Sequence, residues 1–205
     1  MTGDGRPFWE KTYRDAAVAS FGRGPTRDVA ALWERFPSGG AVLDVGCGEG
    51  RNALFLAGKG FTVDAFDITE AGVEKTRRLA AEAGVSLNAW TQDLTRFTFT
   101  RPYDVILSHG VLHLVEREQW LAFIGAMQQH TKPGGLNLVG IFTNRLPAAP
   151  DMAAVTKALF EPDDLEKLYA DWEILLSDDY EFRDEHPGGI KHHHAAANVA
   201  ARKPG

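Results

Sequence analysis

Cysteine is nearly missing from this chain. Among 205 residues only Cys47 carries a thiol, so no disulfide can form within it and a reducing, cytoplasmic home is expected. Long apolar runs are missing too: nothing approaches the ~20 residues that cross a bilayer, so no membrane partner is expected. The opening Met1-Thr2-Gly3-Asp4-Gly5 has no basic region and no apolar one, so no signal peptide is expected. Lysine and arginine are in deficit, 22 against 28 acidic residues, for a formal net charge of −6. With no Lys/Arg-rich run either, the balance argues against a nucleic-acid partner. Repeats and low-complexity blocks do not occur. What remains, 44% apolar and 24% charged residues, fits one globular domain with a sizeable core.

Glycine is plentiful where it counts. Ala41 to Val45 reads as a buried strand that runs into glycines at 46, 48 and 50, with helix-like sequence from Arg51 to Lys59. A second apolar run, from Phe61 to Phe66, ends on Asp67. Glycines allow close backbone approach to a ligand, and an acid at the tip of the next strand can take both ribose hydroxyls. The pattern therefore predicts a nucleoside-binding edge. It is not the dinucleotide fingerprint, whose third glycine would fall where Arg51 stands. A phosphate-cradling loop is excluded as well, because no Gly-Lys-Ser/Thr follows the turn.

Around this motif, strands and helices alternate, which predicts an α/β parallel sheet. Helical spacing covers Phe8 to Val18 and Thr26 to Phe36, then Glu70 to Ala83 with Gly84 as its stop, and Glu116 to His130. Strands are expected over Ser86–Trp90, Tyr103–Ser108 and Leu136–Phe142, the last entered through the turn Lys132-Pro133-Gly134-Gly135. Helical signals return around Asp163 to Tyr169. Trp172–Leu176 and Ala195–Ala201 are the last strand candidates, with a polar hairpin between them and a frayed end from Arg202 to Gly205.

The spacing D-x-G-x-G-x-G from Asp44 resembles the first motif of the Rossmann-like S-adenosylmethionine (SAM) methyltransferases. Asp67, Gln92-Asp93 and the Lys132-Pro133-Gly134-Gly135 turn extend the resemblance over residues 41–142. It implies a seven-stranded, mostly parallel sheet with helices on both faces and an antiparallel C-terminal hairpin strand. A single domain over 1–205 would then comprise a helical lid (1–38), a SAM-binding core (41–142) and a substrate-side segment (143–205). Within that superfamily, Gly48-Glu49-Gly50-Arg51-Asn52, Phe61 to Asp67, Thr131 to Leu138, Leu168-Tyr169, Trp172 to Leu175 and Ala200-Ala201-Arg202-Lys203 resemble the tellurite-resistance methyltransferases. Halide and thiopurine methyltransferases are similar in pocket style. The resemblance implies a small, soft acceptor: a tellurium or selenium oxyanion, a thiol or a halide. A lone cysteine argues against arsenic methylation through a thiol relay. The family's His-Arg pair between the last two strands is not kept whole, since the matching stretch reads Phe182-Arg183. His186 and the run His192-His193-His194 stand nearby instead.

The resemblance also assigns roles. Gly46, Cys47, Gly48, Gly50 and Arg51 form the floor under the methionine part of SAM, with Asp44 holding its amino group indirectly. Asp67 takes the ribose, Ile68 packs on the adenine, and Asp93 and Leu94 meet its polar edge. Ser108 lies at the carboxyl end of the fourth strand, and Trp9 and Tyr13 come from the lid. His109, Arg183 and His192 are the candidate catalytic residues, with Arg145 beside them. Trp9 and Tyr13 fit a core role equally, and His109 and His113 fit plain structural imidazoles. On a strand only His192 and His194 could share a face. Without a carboxylate or cysteine at a known spacing, that run is not read as a metal site and no metal is expected. Two other readings stay open: an O- or N-methyltransferase of a small metabolite with a histidine base, and a SAM-binding module without turnover. The expected assembly is a monomer or homodimer.

Overall fold

The computed structural model describes residues 7–15, 17–186 and 189–205. Seven strands form one sheet: β1 (Ala41–Val45), β2 (Thr62–Asp67), β3 (Asn88–Thr91), β4 (Tyr103–His109), β5 (Thr131–Phe142), β6 (Glu173–His186) and β7 (Ile190–Arg202). Their order is β3-β2-β1-β4-β5-β7-β6. β1 to β5 pair in parallel, and β7 is antiparallel to both of its neighbours. This is the Rossmann-like, mostly parallel sheet with a C-terminal hairpin that the sequence predicts. The order reverses between β1 and β4, which opens a crevice at the carboxyl ends of the strands, where ligands of such sheets bind.

Central strands of a parallel sheet are covered on both faces and so read as continuous apolar runs. Val42, Leu43 and Val45 of β1, with Val105, Ile106 and Leu107 of β4, are fully buried. On one face they meet α2 (Arg27–Leu32), α3 (Arg51–Gly58) and α4 (Glu70–Ala83) through Val29, Leu32, Leu56 and Val73. On the other they meet α5 (Arg117–His130) and α6 (Asp164–Leu168) through Trp120, Ile124, Met127 and Leu165. α4 has the predicted bounds and ends at Gly84 with φ +65°. α5 starts with a capping box between Glu116 and Gln119.

Four expectations change. The first helix, α1, covers only Phe8–Tyr13 rather than reaching Val18. Beyond it the chain wraps the buried Lys75, whose ammonium takes the carbonyls of Thr12 and Val18. The Lys132-Pro133-Gly134-Gly135 turn lies inside β5 as an irregularity, with Gly134 at φ +75°. β6 and β7 run on through most of the expected polar hairpin, pairing from Glu173↔Arg202 to His186↔Ile190. Their outer halves alternate polar and half-buried residues, which reads as loop until the partner strand is known. The end is not frayed: Lys203 exchanges backbone bonds with Gly134 and Gly135. Its ammonium caps the C-terminus of α5 through the carbonyls of Gln128 and Thr131.

Candidate active site

The turn after β1 is shaped by three left-handed glycines, Gly46 (φ +66°), Gly48 (φ +55°) and Gly50 (φ +81°). Side chains there would also collide. A Cβ on Gly46 would lie 2.8 Å from Val111, and one on Gly48 would lie 2.5 Å from the Tyr13 hydroxyl. Asp67, at the tip of β2, ties this turn to the next. Its Oδ2 accepts the Gly48 N–H (2.9 Å), and its Oδ1 accepts the N–H and hydroxyl of Thr69 (2.8 and 2.6 Å). The result is a shallow backbone cradle with a buried carboxylate on its rim.

Asp44 is the second carboxylate of this edge. It is buried and accepts the Ala53 N–H at 3.1 Å. Burial raises its pKa from 3.8 to about 6, against the opposing pull of His109, the Ala53 bond and Arg51. A carboxylate in that state suits a cationic ligand group. It also has a measurable consequence. The folded pKa lies above the unfolded one, so this group's ionisation opposes folding. Its contribution is most favourable below about pH 4 and is lost as pH rises through 6. Asp44→Asn is therefore expected to stabilise the ligand-free protein by about 2–3 kcal/mol at pH 8, with the gain vanishing at pH 4. Urea titrations at the two pH values check this, and equal gains at both would contradict it.

The N-terminal segment docks onto the glycine turn through charge. Glu49 accepts the N–H groups of Ser20 and Phe21 (2.6 and 3.3 Å) and pairs with Lys75 at 2.7 Å. Arg51 donates to the Phe21 carbonyl at 2.8 Å. Tyr13 is buried against the turn, and burial raises its hydroxyl pKa well above the ordinary value. Trp9 is half-buried, edge-on to Phe8. On the outer side, Ile68 is 66% exposed beside the cradle, an apolar surface of the kind an adenine ring covers. Asp93 caps the following turn by accepting from Thr95, and Leu94 is buried behind it. Cys47 is buried, with burial raising its thiol pKa.

His109 is built into a relay of a different kind. Its Nε2 lies 2.7 Å from Asp28 Oδ2 and its Nδ1 lies 3.4 Å from the Asn52 amide. Asn52 in turn accepts from the Thr26 N–H at 2.8 Å. Burial would raise the Asp28 pKa, but the His109 contact outweighs it and holds the carboxyl at about 2. Both imidazole nitrogens are thus engaged in joining α2 to the cradle. Ser108, next along, is fully buried and its hydroxyl makes no hydrogen bond among the described residues.

A small cleft, partly open to solvent, lies at the same edge of the sheet. Its lining includes His113, Phe142, Thr143, Met152, Thr156 and His194. Two buried atoms without a hydrogen-bond partner among the described residues belong to this lining: His113 Nδ1 and Thr143 Oγ1. Burial lowers the His113 pKa to about 3, helped by His194, so its ring is neutral. His192 and His194 are buried on one face of the hairpin, and His193 is exposed on the other. Arg183 pairs with His193 across the strands and is exposed, so the structure does not bring it to His192. Arg145 is on that outer face too, paired with Asp179 at 3.1 Å. Sequence reasoning put His192 and His194 on one face, but it missed Phe142 and Thr143 as lining and gave Asp184 no partner. Their signal was the two-residue alternation of strands whose pairing was unknown.

The model of the family described as "Tellurite resistance protein TehB" matches residues 29–193. The chain is similar to the probable SAM-dependent methyltransferase TehB of Haemophilus influenzae, 30% identical over 136 residues. That match covers 65% of this chain and 46% of the relative. It is also similar to "Hemagglutinin 1" of Eikenella corrodens, 35% identical over 136 residues, covering 65% and 44%. Among solved structures, the crystal structure of TehB from Haemophilus influenzae superposes with a TM-score of 0.76 at 26% identity, covering 86% of this chain and 61% of that one. The matched part spans under half the length of those curated relatives.

Proposed function

The chain belongs to the TehB tellurite-resistance family, and from that premise we propose that it is a SAM-dependent methyltransferase acting on a small, soft nucleophile. The observation that carries the reading is one sheet edge holding both the glycine cradle, with Asp44 and Asp67, and the cleft lined by His113, Thr143 and His194.

The residues fit the cofactor. Gly46 and Gly48 leave no room for a Cβ, which would strike Val111 and the Tyr13 hydroxyl, so the turn presents bare backbone. Asp44 offers a buried carboxylate to the cofactor's cationic methionine end, and Asp67 offers its rim oxygens to the ribose. Ile68 supplies an exposed apolar face for the adenine. When bound, SAM supplies an electrophilic methyl on sulfur. The chain's part is to orient the acceptor in line and exclude water, which can lower a barrier by about 7–11 kcal/mol. Tyr13 and Phe8 of the lid are buried over this edge and serve that exclusion.

A soft anion needs no base at working pH, and the cleft histidines are poorly matched to act as one. His113, with a pKa of about 3, has little proton affinity near neutrality. The acceptor reading is tested by transfer of radiolabelled methyl from SAM to tellurite, selenite, small thiols and halides, beside catechol-type hydroxyls and amines. Turnover confined to the soft set supports it, and turnover confined to hydroxyls or amines overturns it.

A further inference from the structure

A soft anion needs positive charge to hold it, and among the described residues no lysine or arginine lines the cleft. Arg145 and Arg183, the expected cations, stand on the outer face of the hairpin. What the inner face holds instead is imidazole. Asp184 and His192 sit directly opposite each other in the β6–β7 register, and Phe182 opposite His194 follows two residues along on the same face. Asp184, His192 and His194 each offer a ligand atom, and these three atoms lie within 4.8 Å of one another. His186 adds a fourth ring, its Nε2 3.0 Å from Asp184 and its centroid 4.8 Å from that of His192.

We propose that Asp184, His192 and His194 form a site for a divalent transition metal of the zinc class, at the wall of the acceptor cleft. Three observations carry it. Two imidazoles and a carboxylate make the three-ligand set that leaves an open position for a substrate. Asp184 Oδ1 is buried without a hydrogen bond among the described residues, 3.8 Å from His194 Nε2. The neighbouring groups also orient the ligands: Asp151 Oδ1 lies 2.9 Å from His192 Nε2, and the His194 ring stacks on Phe142 at 4.3 Å. Carboxylates in that relation fix metal-ligating imidazoles. Zinc-class metals take imidazole readily, and a bound metal deprotonates a coordinating thiol.

The role assigned to the metal rests on the methyltransferase reading. A thiol entering the open position gives its proton to solvent and is held as thiolate. A sulfur lone pair then forms the new S–CH3 bond while the methyl–sulfonium bond breaks, its electron pair leaving on the neutral thioether of S-adenosylhomocysteine.

The test is calorimetric titration of the whole protein with zinc chloride, beside His192→Ala, Asp184→Asn and His193→Ala. Saturable 1:1 binding is expected, weakened at least 10-fold by either of the first two substitutions and unchanged by the third. His193 lies on the other face, 3.1 Å from Glu181. If His193→Ala weakens binding as much as His192→Ala, the exposed histidine run is chelating adventitiously and the site is refuted. No saturable binding to the wild type refutes it equally. Circular dichroism of each variant identifies one that fails to fold, and Asp184→Asn keeps the shape if His192→Ala does not. In the cobalt-loaded protein, a small thiol should produce a thiolate-to-cobalt absorption band, and its absence overturns the acceptor role. Titration with S-adenosylhomocysteine separates the two readings. Zinc uptake without it leaves the metal site standing and removes the methyl-transfer reading, and the converse removes the metal site alone.

Discussion

Gly46→Ala is expected to destabilise the fold by about 2–3 kcal/mol and to weaken SAM binding by about 100-fold. Two effects add at this position. The left-handed φ of +66° costs a side chain energy on its own account. The new Cβ would also lie 2.8 Å from both Cβ and Cγ2 of Val111. A β-branched residue has no flexible end to swing away, so the backbone of the cradle must shift. Gly84→Ala is the control. It has nearly the same φ, +65°, but nothing within 4 Å, so roughly 1 kcal/mol of strain is expected there with affinity unchanged. Urea denaturation and calorimetry on both variants separate strain from collision. Equal affinities in the two would show that the turn does not contact the cofactor.

Trp120→Ala should be the most damaging core substitution, costing about 3–5 kcal/mol. Trp120 is fully buried in the α5 face of the core and stacks on Phe160 with ring centroids 3.8 Å apart. Its indole N–H makes no hydrogen bond among the described residues, so truncation loses packing and the cation–π contact of the Arg117 guanidinium, 4.9 Å over the ring. Trp120→Phe keeps most of that packing and is expected to cost less than half as much. Similar midpoints in urea for the two variants would place the stabilisation elsewhere.

The glycine turn after β1 and the acid that ends β2 were legible because their signals are local. A buried strand, three glycines, a helix and an acid at the next strand tip follow one another within a short stretch, and each meets a steric or polar need of its own turn. α4 was legible to the residue, since Gly84 ends it by backbone conformation. The β6–β7 face was not, because its determinants are long-range. Asp184 and His192 become neighbours only through the β6–β7 register, and His109 is engaged by Asp28, far away in sequence. The alternation within the histidine run was legible, His192 and His194 on one face and His193 on the other, but what that face meets was not. Lys203 reads as a loose basic tail until its ammonium is placed on the end of α5.

Calorimetric titration of SAM and S-adenosylhomocysteine into the wild type and Asp67→Ala tests the central claim most directly. Asp67 holds the Gly48 N–H and both donors of Thr69, so its loss loosens the cradle as well as removing the proposed ribose acceptor. Dissociation constants in the micromolar range are expected for the wild type, weakened at least 10-fold, or about 1.4 kcal/mol, by the substitution. A wild-type protein that takes up neither ligand would contradict the account.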